Sequence, residues 1–331
     1  IALAAFHPLF ESQISTLMSA FSSDGSSVIK STYKQTKLHK FFDIVSSLIK
    51  YRNKYDYIHI QSYSGTINII VALSVLIGRL LNKKVIVMYY GGSAHTFFAK
   101  YKRIIRYIYK RVDSIIVAGE YVHKAFHNLG LNPHIIPHIV DTSFWKRRER
   151  KKISLRLVWV RHFHEIYNPI LMIDIITRLK DRYPDIELVM VGTGYMEKVI
   201  IDLIASNNLE SNISLKSNLS MSDLADIYDW GDFFINTTNV DNQPVTVLEA
   251  MSSGMIVVSS DVGGLPDIID NEVNGMLSAK DDADDFIKNI EKVLKNSELA
   301  NQISCNSIKY INDNFSKDVI LEKWYKIYDF I

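Results

Sequence analysis

Cysteine is almost missing from the 331 residues: Cys305 is the only one. A disulfide framework and a cysteine-ligated zinc site are thereby excluded, and a reducing compartment fits the composition. A charge excess is missing too. Lys plus Arg total 38 against 36 acidic residues, so no global field argues for a nucleic-acid partner, and any electrostatic targeting must be local. Nor is there a long apolar run. The most apolar stretch, Ile67 to Leu81, contains Asn68, Ser74 and Arg79, and it falls short of the roughly 20 apolar residues that span a bilayer. The opening "IALAAFHPLFE" has no basic start, and its apolar run stops at His7-Pro8; no secretory leader is expected. With 47% hydrophobic and 22% charged residues, the chain reads as globular and long enough for two cores.

What is present is alternation. Strand-like runs at Ile1–Phe6, Tyr57–Ile60, Lys84–Met88, Ser114–Val117 and His134–Ile136 are separated by helix-period segments. The same holds for Leu155–Val160, Ile186–Val191, Ile213–Leu215, Phe233–Asn236 and Ile256–Ser259. This is the pattern of parallel sheets flanked by helices. Between the two series lies "KRRERKK" (146–152), which reads as a solvated linker. The expectation is α/β: two doubly wound domains, divided near residue 150.

Such sheets bind ligands beyond the carboxyl ends of their strands, and facing domains make a cleft. The strand-end loops are "YYGGSAH" (89–95), "RHFHEIYNP" (161–169), "GTGY" (192–195), "NTTNVDNQP" (236–244) and "DVGGLPD" (261–267). Asp241 and Asn242 can cap the following helix, with Pro244 in its first turn. The amides of Val245 and Thr246 then offer an anion site at the positive end of the helix dipole. Gly192 and Gly194 permit close backbone approach, as a plain tight turn also would. The third glycine of the dinucleotide fingerprint is absent, since Glu197 stands there, which argues against a nicotinamide-dependent dehydrogenase. Arg161, directly after "LVWV", suits bidentate phosphate contact; a surface pair with Glu165 is the alternative. Glu249 sits in an otherwise apolar helix, where a carboxylate is costly unless something binds it, and sugar hydroxyls would. "DDADD" (281–285) complements a helix dipole, and "HFH" (162–164) supplies loop histidines; no metal site is expected.

"DNQPVTVLEAMSSGMIVVSSDVGGLPDIID" resembles the signature of retaining glycosyltransferases of family four, the glycosyl transferases group 1 with the GT-B fold. The family's acid, seven residues, then Glu before Ala-Met is matched by Asp241 and Glu249, Asp replacing the usual first Glu. "IPHIVDTSFW", "WVRHFHEIYNP", "LVMVGTG", "MSDLADIYDWGDFFINTT" and "FSKDVILEKWYKIY" follow the family in order, so the likeness covers residues 135–331 and, more loosely, the first half. It implies an N-terminal acceptor-binding domain (1–147), a nucleotide-sugar-binding domain (148–315) and a last helix (316–331) returning to the first.

The resemblance further implies that Glu249 contacts the nucleotide-side ribose and Asp241 the transferred sugar. Arg161, Asn242, Pro244, Val245 and Thr246 would serve the diphosphate, and Gly192, Gly194, Ser217 and Asn218 the phosphate and base pockets. Tyr90 stands where the family places His before Gly91-Gly92 on the acceptor side; His95 is the loop histidine available for that catalytic role. A Lys usual after the Arg is replaced around Ile166 and Tyr167. The implied reaction is hexosyl transfer with retention, from a UDP- or GDP-linked sugar to a glycan or lipid-linked acceptor of bacterial surface-glycan synthesis. Neither cofactor nor metal is called for. A catalytically inactive protein that only binds sugar-nucleotides is the alternative.

"KYKRIIRYIYKR" (100–111) predicts a helix with Tyr101, Ile104, Ile105 and Ile108 on its core face. Lys102, Arg103, Arg106 and Lys110 lie opposite, either solvated or resting on anionic lipid. The expected location is cytoplasmic, with peripheral contact at the inner face of the plasma membrane.

Overall fold

The computed structural model describes residues 2–4, 13–26, 28–30, 46–65, 67–145 and 147–330. Within the expected first strand, Ile1, Ala5 and Phe6 lie outside the described residues, as does Lys146 of the basic run. The chain forms two compact units, Ile1–Ile139 with Lys317–Ile331, and Val140–Ser316.

In the first unit, β1 (Ala2–Ala4) pairs in parallel with β2 (Val28–Lys30). A four-stranded parallel sheet runs in the order β3 (Tyr57–Ser62), β4 (Lys84–Tyr89), β5 (Ser114–Val117), β6 (His134–Ile135). The inner strands are buried along nearly their whole length, so they read as continuous apolar runs rather than alternating ones. One face carries the helices Ile67–Leu80, Ala94–Tyr109 and Glu120–His127, through Val71, Val75, Phe98, Ile105 and Phe126. The other carries Leu17, Met18 and Phe21 of the helix Gln13–Ser23, with Ile320, Leu321, Trp324 and Ile327 of the final helix Lys317–Phe330. Tyr328 of that helix reaches His59 Nε2 at 2.9 Å. The last helix thus belongs to the first unit's core.

The second unit is one six-stranded parallel sheet. Its strands are β7 (Arg156–Val160), β8 (Glu187–Val191), β9 (Ile213–Lys216), β10 (Phe233–Asn236), β11 (Ile256–Ser260) and β12 (Met276–Ser278), ordered β12-β11-β10-β7-β8-β9. The sequential order reverses between β7 and β10. Helices following the two neighbours leave on opposite faces there, opening a crevice at the carboxyl ends of the strands.

The basic run is solvated only in part: Arg147, Glu149, Lys151 and Lys152 are exposed, while Arg148 and Arg150 are drawn into the fold. Arg150 is fully buried, and its guanidinium donates to the carbonyl oxygens of Arg148, Tyr228 and Gly231 at 2.5, 2.7 and 2.9 Å, and to that of Ser253. Arg148 donates to Asp232 at 3.0 Å. A run of charges looks solvated in sequence; here carbonyls left over at helix and strand ends supply the acceptors that let an arginine be buried.

The helix Ala94–Tyr109 departs from its expected register. Backbone at Tyr101 is non-helical (φ −118°, ψ 27°), and the buried stripe passes from Ala94 and Phe98 to Ile105, Ile108 and Tyr109. Tyr101 and Ile104, expected on the core face, are exposed. A kink resets the rotation that a straight 100° periodicity assumes.

Candidate functional site

A polar cluster lies where β7 and β10 adjoin in the second unit. Arg161, the residue after β7, lies almost wholly buried beside Asn236, the last residue of β10. Its Nε and Nη2 donate to Asn236 Oδ1 at 3.2 and 3.0 Å, and Nη1 donates to Thr246 Oγ1 at 2.5 Å. Nη2 lies 3.4 Å from the Asp241 carboxylate, and the guanidinium sits over the Tyr167 ring at 5.5 Å. Asn236 is itself held by donating to Ser259 Oγ of β11 at 2.9 Å. The partner is Asp241, not Glu165, so the surface-pair alternative is set aside.

The loop carrying Asp241 is fixed by backbone contact. Gly264 N–H donates to the Asp241 carbonyl at 3.0 Å. A Cβ on Gly263 would stand 2.0 Å from that same oxygen, and Gly263 has φ +60°; only glycine meets both demands. Gly192 and Gly194 follow the same logic. Their absent Cβ atoms would meet the carbonyls of Arg161 at 1.9 Å and Phe163 at 2.3 Å. The close approach expected at these glycines is therefore to the chain's own loop after β7.

The helix Val245–Ser252 begins one residue later than expected. Pro244 is its N-cap at φ −71°, ψ 119°, and no side chain caps it. Asp241 and Asn242 are not caps. The Asp241 carboxylate instead accepts from the Asn242 N–H at 2.8 Å. Val247 and Leu248 donate to the Pro244 carbonyl, while the amides of Val245 and Thr246 precede any intrahelical acceptor.

Asn242 is 3% exposed, and neither Nδ2 nor Oδ1 has a hydrogen-bond partner. Such an orphaned amide costs about 1–3 kcal/mol unless a ligand or water meets it. Burial raises the Asp241 carboxyl above its ordinary range, with Arg161 and the Asn242 amide pulling it back. Glu249 is pushed up to about 8 by burial, against the opposing pull of Arg161 and the Tyr228 hydroxyl. Its side chain keeps part of its surface open, so the helix presents a partly desolvated carboxyl to whatever enters.

Other expected residues are not drawn into this cluster. Ser217 and Asn218 follow the edge strand β9 and are exposed, Asn218 in the left-handed region (φ 53°). In the first unit, His95 spends Nε2 on the Tyr121 carbonyl at 2.7 Å, its ring 4.6 Å from Tyr121. It ties the helix Ala94–Tyr109 to the helix Glu120–His127 and does not face Tyr90. The histidine that does is His138, whose buried ring lies 4.5 Å from Tyr90; Tyr63 flanks Tyr90 at 6.5 Å. Burial lowers His138 to about 3, so its imidazole is neutral. Sequence reasoning passed over His138 although "IPHIVDTSFW" was in view; its position just past β6, at a strand end, was the available signal. Gly91 closes the loop, where a Cβ would lie 2.9 Å from the Tyr89 hydroxyl.

Comparison with known proteins puts names to these features. Residues 141–310 match the family model of glycosyl transferases group 1, and residues 26–144 that of glycosyltransferase family 4. A phosphatidylinositol N-acetylglucosaminyltransferase chain from Arabidopsis thaliana is 24% identical over 170 residues, 50% of this chain and 38% of that protein. The poly(ribitol-phosphate) α-N-acetylglucosaminyltransferase of Staphylococcus aureus is 27% identical over 139 residues, 42% of this chain and 28% of its own. The chain thus aligns with about two fifths or less of the length of such relatives. Among solved structures, Anabaena HepE in complex with UDP-glucose superposes with a TM-score of 0.80 at 14% identity, covering 100% of this chain and 99% of that one. Sucrose-phosphate synthase from Thermosynechococcus elongatus gives 0.81 at 16% identity, covering 99% and 98%.

Proposed function

The chain belongs to the glycosyl transferases group 1 and has the GT-B fold, and from that premise we propose that it moves a sugar from a nucleoside-diphosphate donor to an acceptor hydroxyl with retention at the anomeric carbon. The observation that carries the reading is the cluster at the β7–β10 crevice: a fixed arginine, open helix amides and a buried, partnerless Asn242 amide. Together these recognise a diphosphate with its attached hydroxyls. The bond between the anomeric carbon and the diphosphate oxygen breaks as the acceptor oxygen bonds on the same face. The acceptor's proton leaves to the departing phosphate. Arg161 and the amides of Val245 and Thr246 stabilise the charge that develops. Asp241 contacts the transferred sugar and Glu249 the hydroxyls of the donor; neither role calls for a metal. Tyr90, Gly91 and Gly92, with His138 replacing His95, form the acceptor side.

HepE was solved with UDP-glucose, which makes a UDP-sugar the first donor to try, ahead of GDP-sugars. A glycan or lipid-linked acceptor in surface-polysaccharide synthesis accords with relatives named for poly(ribitol-phosphate) and for amylovoran biosynthesis. A thermal-shift screen of nucleotide-sugars tests the reading, because a ligand of the folded state alone stabilises it by mass action. One nucleotide-sugar should raise Tm in the wild type and not in Arg161→Ala. Anomeric NMR of the product should then report retention, and slow donor hydrolysis lost in Asp241→Asn separates an enzyme from a protein that only binds. No shift with any nucleotide-sugar or nucleoside diphosphate overturns the proposal.

A further inference from the structure

The helix Ile67–Leu80 buries Asn68, Val71, Ser74, Val75 and Gly78. On the opposite side, at spacing i, i+7 and i+11, Ile69, Leu76 and Leu80 are 63%, 55% and 76% exposed. A helix apolar on both sides has a second face that water does not suit. Beside it in the same layer, the helix Ala94–Tyr109 turns Ile104 and Tyr107 outward at 60% and 63% exposure. Lys100, Arg103 and Lys110 share that outer row, with Lys102 and Arg106 on the adjoining flank, and all five are exposed. Arg111 extends the row, its guanidinium stacked 3.5 Å from the Tyr107 ring. Neither helix carries an Asp or a Glu.

We infer that the outer faces of these two helices rest on an anionic bilayer, with the ridge of Ile69, Leu76 and Leu80 entering the headgroup boundary and the row of Lys100, Arg103 and Lys110 meeting lipid phosphates. An apolar ridge beside a purely basic row matches an interface that is apolar below and negative above. Tyr107 suits the boundary itself, with a ring that is apolar in body and polar at its tip. A second copy of the chain fits less well, since a two-fold contact through this face sets basic row near basic row. The expected basic face is thereby redefined: Ile104 and Tyr101 belong with the contact surface rather than the core, and the helix before them supplies the greater part of the apolar area. The inference does not depend on the donor chemistry.

The test is cosedimentation with phosphatidylcholine vesicles, with and without phosphatidylglycerol, at low and high salt. Wild type should pellet with the anionic vesicles at low salt only. Lys100→Glu, Arg103→Glu and Lys110→Glu combined should weaken binding about a hundredfold, from roughly fivefold per basic residue removed and more for reversal. Leu76→Gln with Leu80→Gln should weaken it at least about tenfold without changing the salt dependence. Far-UV circular dichroism and the nucleotide-induced thermal shift report that the variants are folded; if the leucine pair unfolds the chain, the charge set and the salt titration decide. Absence of wild-type binding, or equal binding by wild type and the charge variant, overturns the inference. So does a concentration-dependent dimer lost in Leu76→Gln/Leu80→Gln with no vesicle binding.

Discussion

Glu249 offers a sharp test, because its environment makes folding depend on pH in a calculable way. Its ordinary pKa of 4.5 is pushed up to about 8, chiefly by burial. Below 4.5 the carboxyl is protonated in both the folded and unfolded chain and costs nothing. Between 4.5 and about 8 the unfolded chain releases the proton while the folded chain retains it, so stability falls as pH rises. Above 8 the loss is complete. The gap of three and a half pH units, at 1.36 kcal/mol each, bounds the cost at about 5 kcal/mol. Because the side chain is partly open, about 2–4 kcal/mol is the realistic range. Glu249→Gln keeps the shape and removes the titration. Denaturant unfolding of both proteins from pH 5 to pH 9 should find them similar at pH 5 and the variant more stable by that amount at pH 8.5. In Tm the gap should open at about 2–4 °C per kcal/mol. On the proposed reading, in which the carboxylate meets donor hydroxyls, the same variant should also lose most transfer activity. A stability difference that does not vary with pH would refute the desolvation account, and full activity would remove Glu249 from the donor site.

Other substitutions probe separate parts of the site. Arg161→Ala should weaken nucleoside-diphosphate binding by at least about tenfold, a charge-assisted contact being worth about 1.5–3 kcal/mol; isothermal calorimetry checks it. Asn242→Ala should leave stability unchanged or raise it, because an orphaned amide disappears, yet lower nucleotide affinity about tenfold in the same calorimetric assay. Gly192→Ala places a methyl 1.9 Å from the Arg161 carbonyl and should cost more than about 2 kcal/mol in denaturant unfolding, with donor binding lost as Arg161 is displaced. Arg150→Met strips the buried donors from the carbonyls of Tyr228, Gly231 and Ser253 and should cost about 3 kcal/mol or more by the same measurement.

The sheets were legible because burial on both faces writes a parallel strand as an apolar run. β5 and β10 fall on their expected residues, and the other long strands within one or two. The short edge strands β2 and β12, Val28–Lys30 and Met276–Ser278, carry three residues each, too few for a period to register. The position of the polar cluster was legible from the strand ends: Arg161, directly after β7, meets Asn236 at the end of β10 and Thr246 of the helix that follows. Contacts made at long range were not legible. Nothing near Arg150 announces that Tyr228, Gly231 and Ser253 will lend it their carbonyls. That His138 rather than His95 lies beside Tyr90 was not legible, because proximity along the chain to Gly91-Gly92 says less than position at a neighbouring strand end. Tyr101 and Ile104 were misplaced because one non-helical residue resets a periodicity.

The charge balance of the crevice explains how a site with two carboxyls can receive an anion. With Asp241 and Glu249 both ionised, a single guanidinium would leave the ligand-free site negative, and a diphosphate would be repelled. Burial lessens that charge by raising both carboxyls, Glu249 to about 8, and Asp241 lies 3.4 Å from the Arg161 guanidinium. The positive end of the helix Val245–Ser252 then adds to Arg161, a combination that would favour phosphates on the proposed reading. On the proposed reading, hydroxyls donating to Glu249 would stabilise its ionised form, and the proton would be released as the donor settles. On that reading the apolar helix around Glu249 would serve the mechanism. Val247, Leu248, Ala250 and Met251 are fully buried, and it is burial in this helix that raises the Glu249 carboxyl.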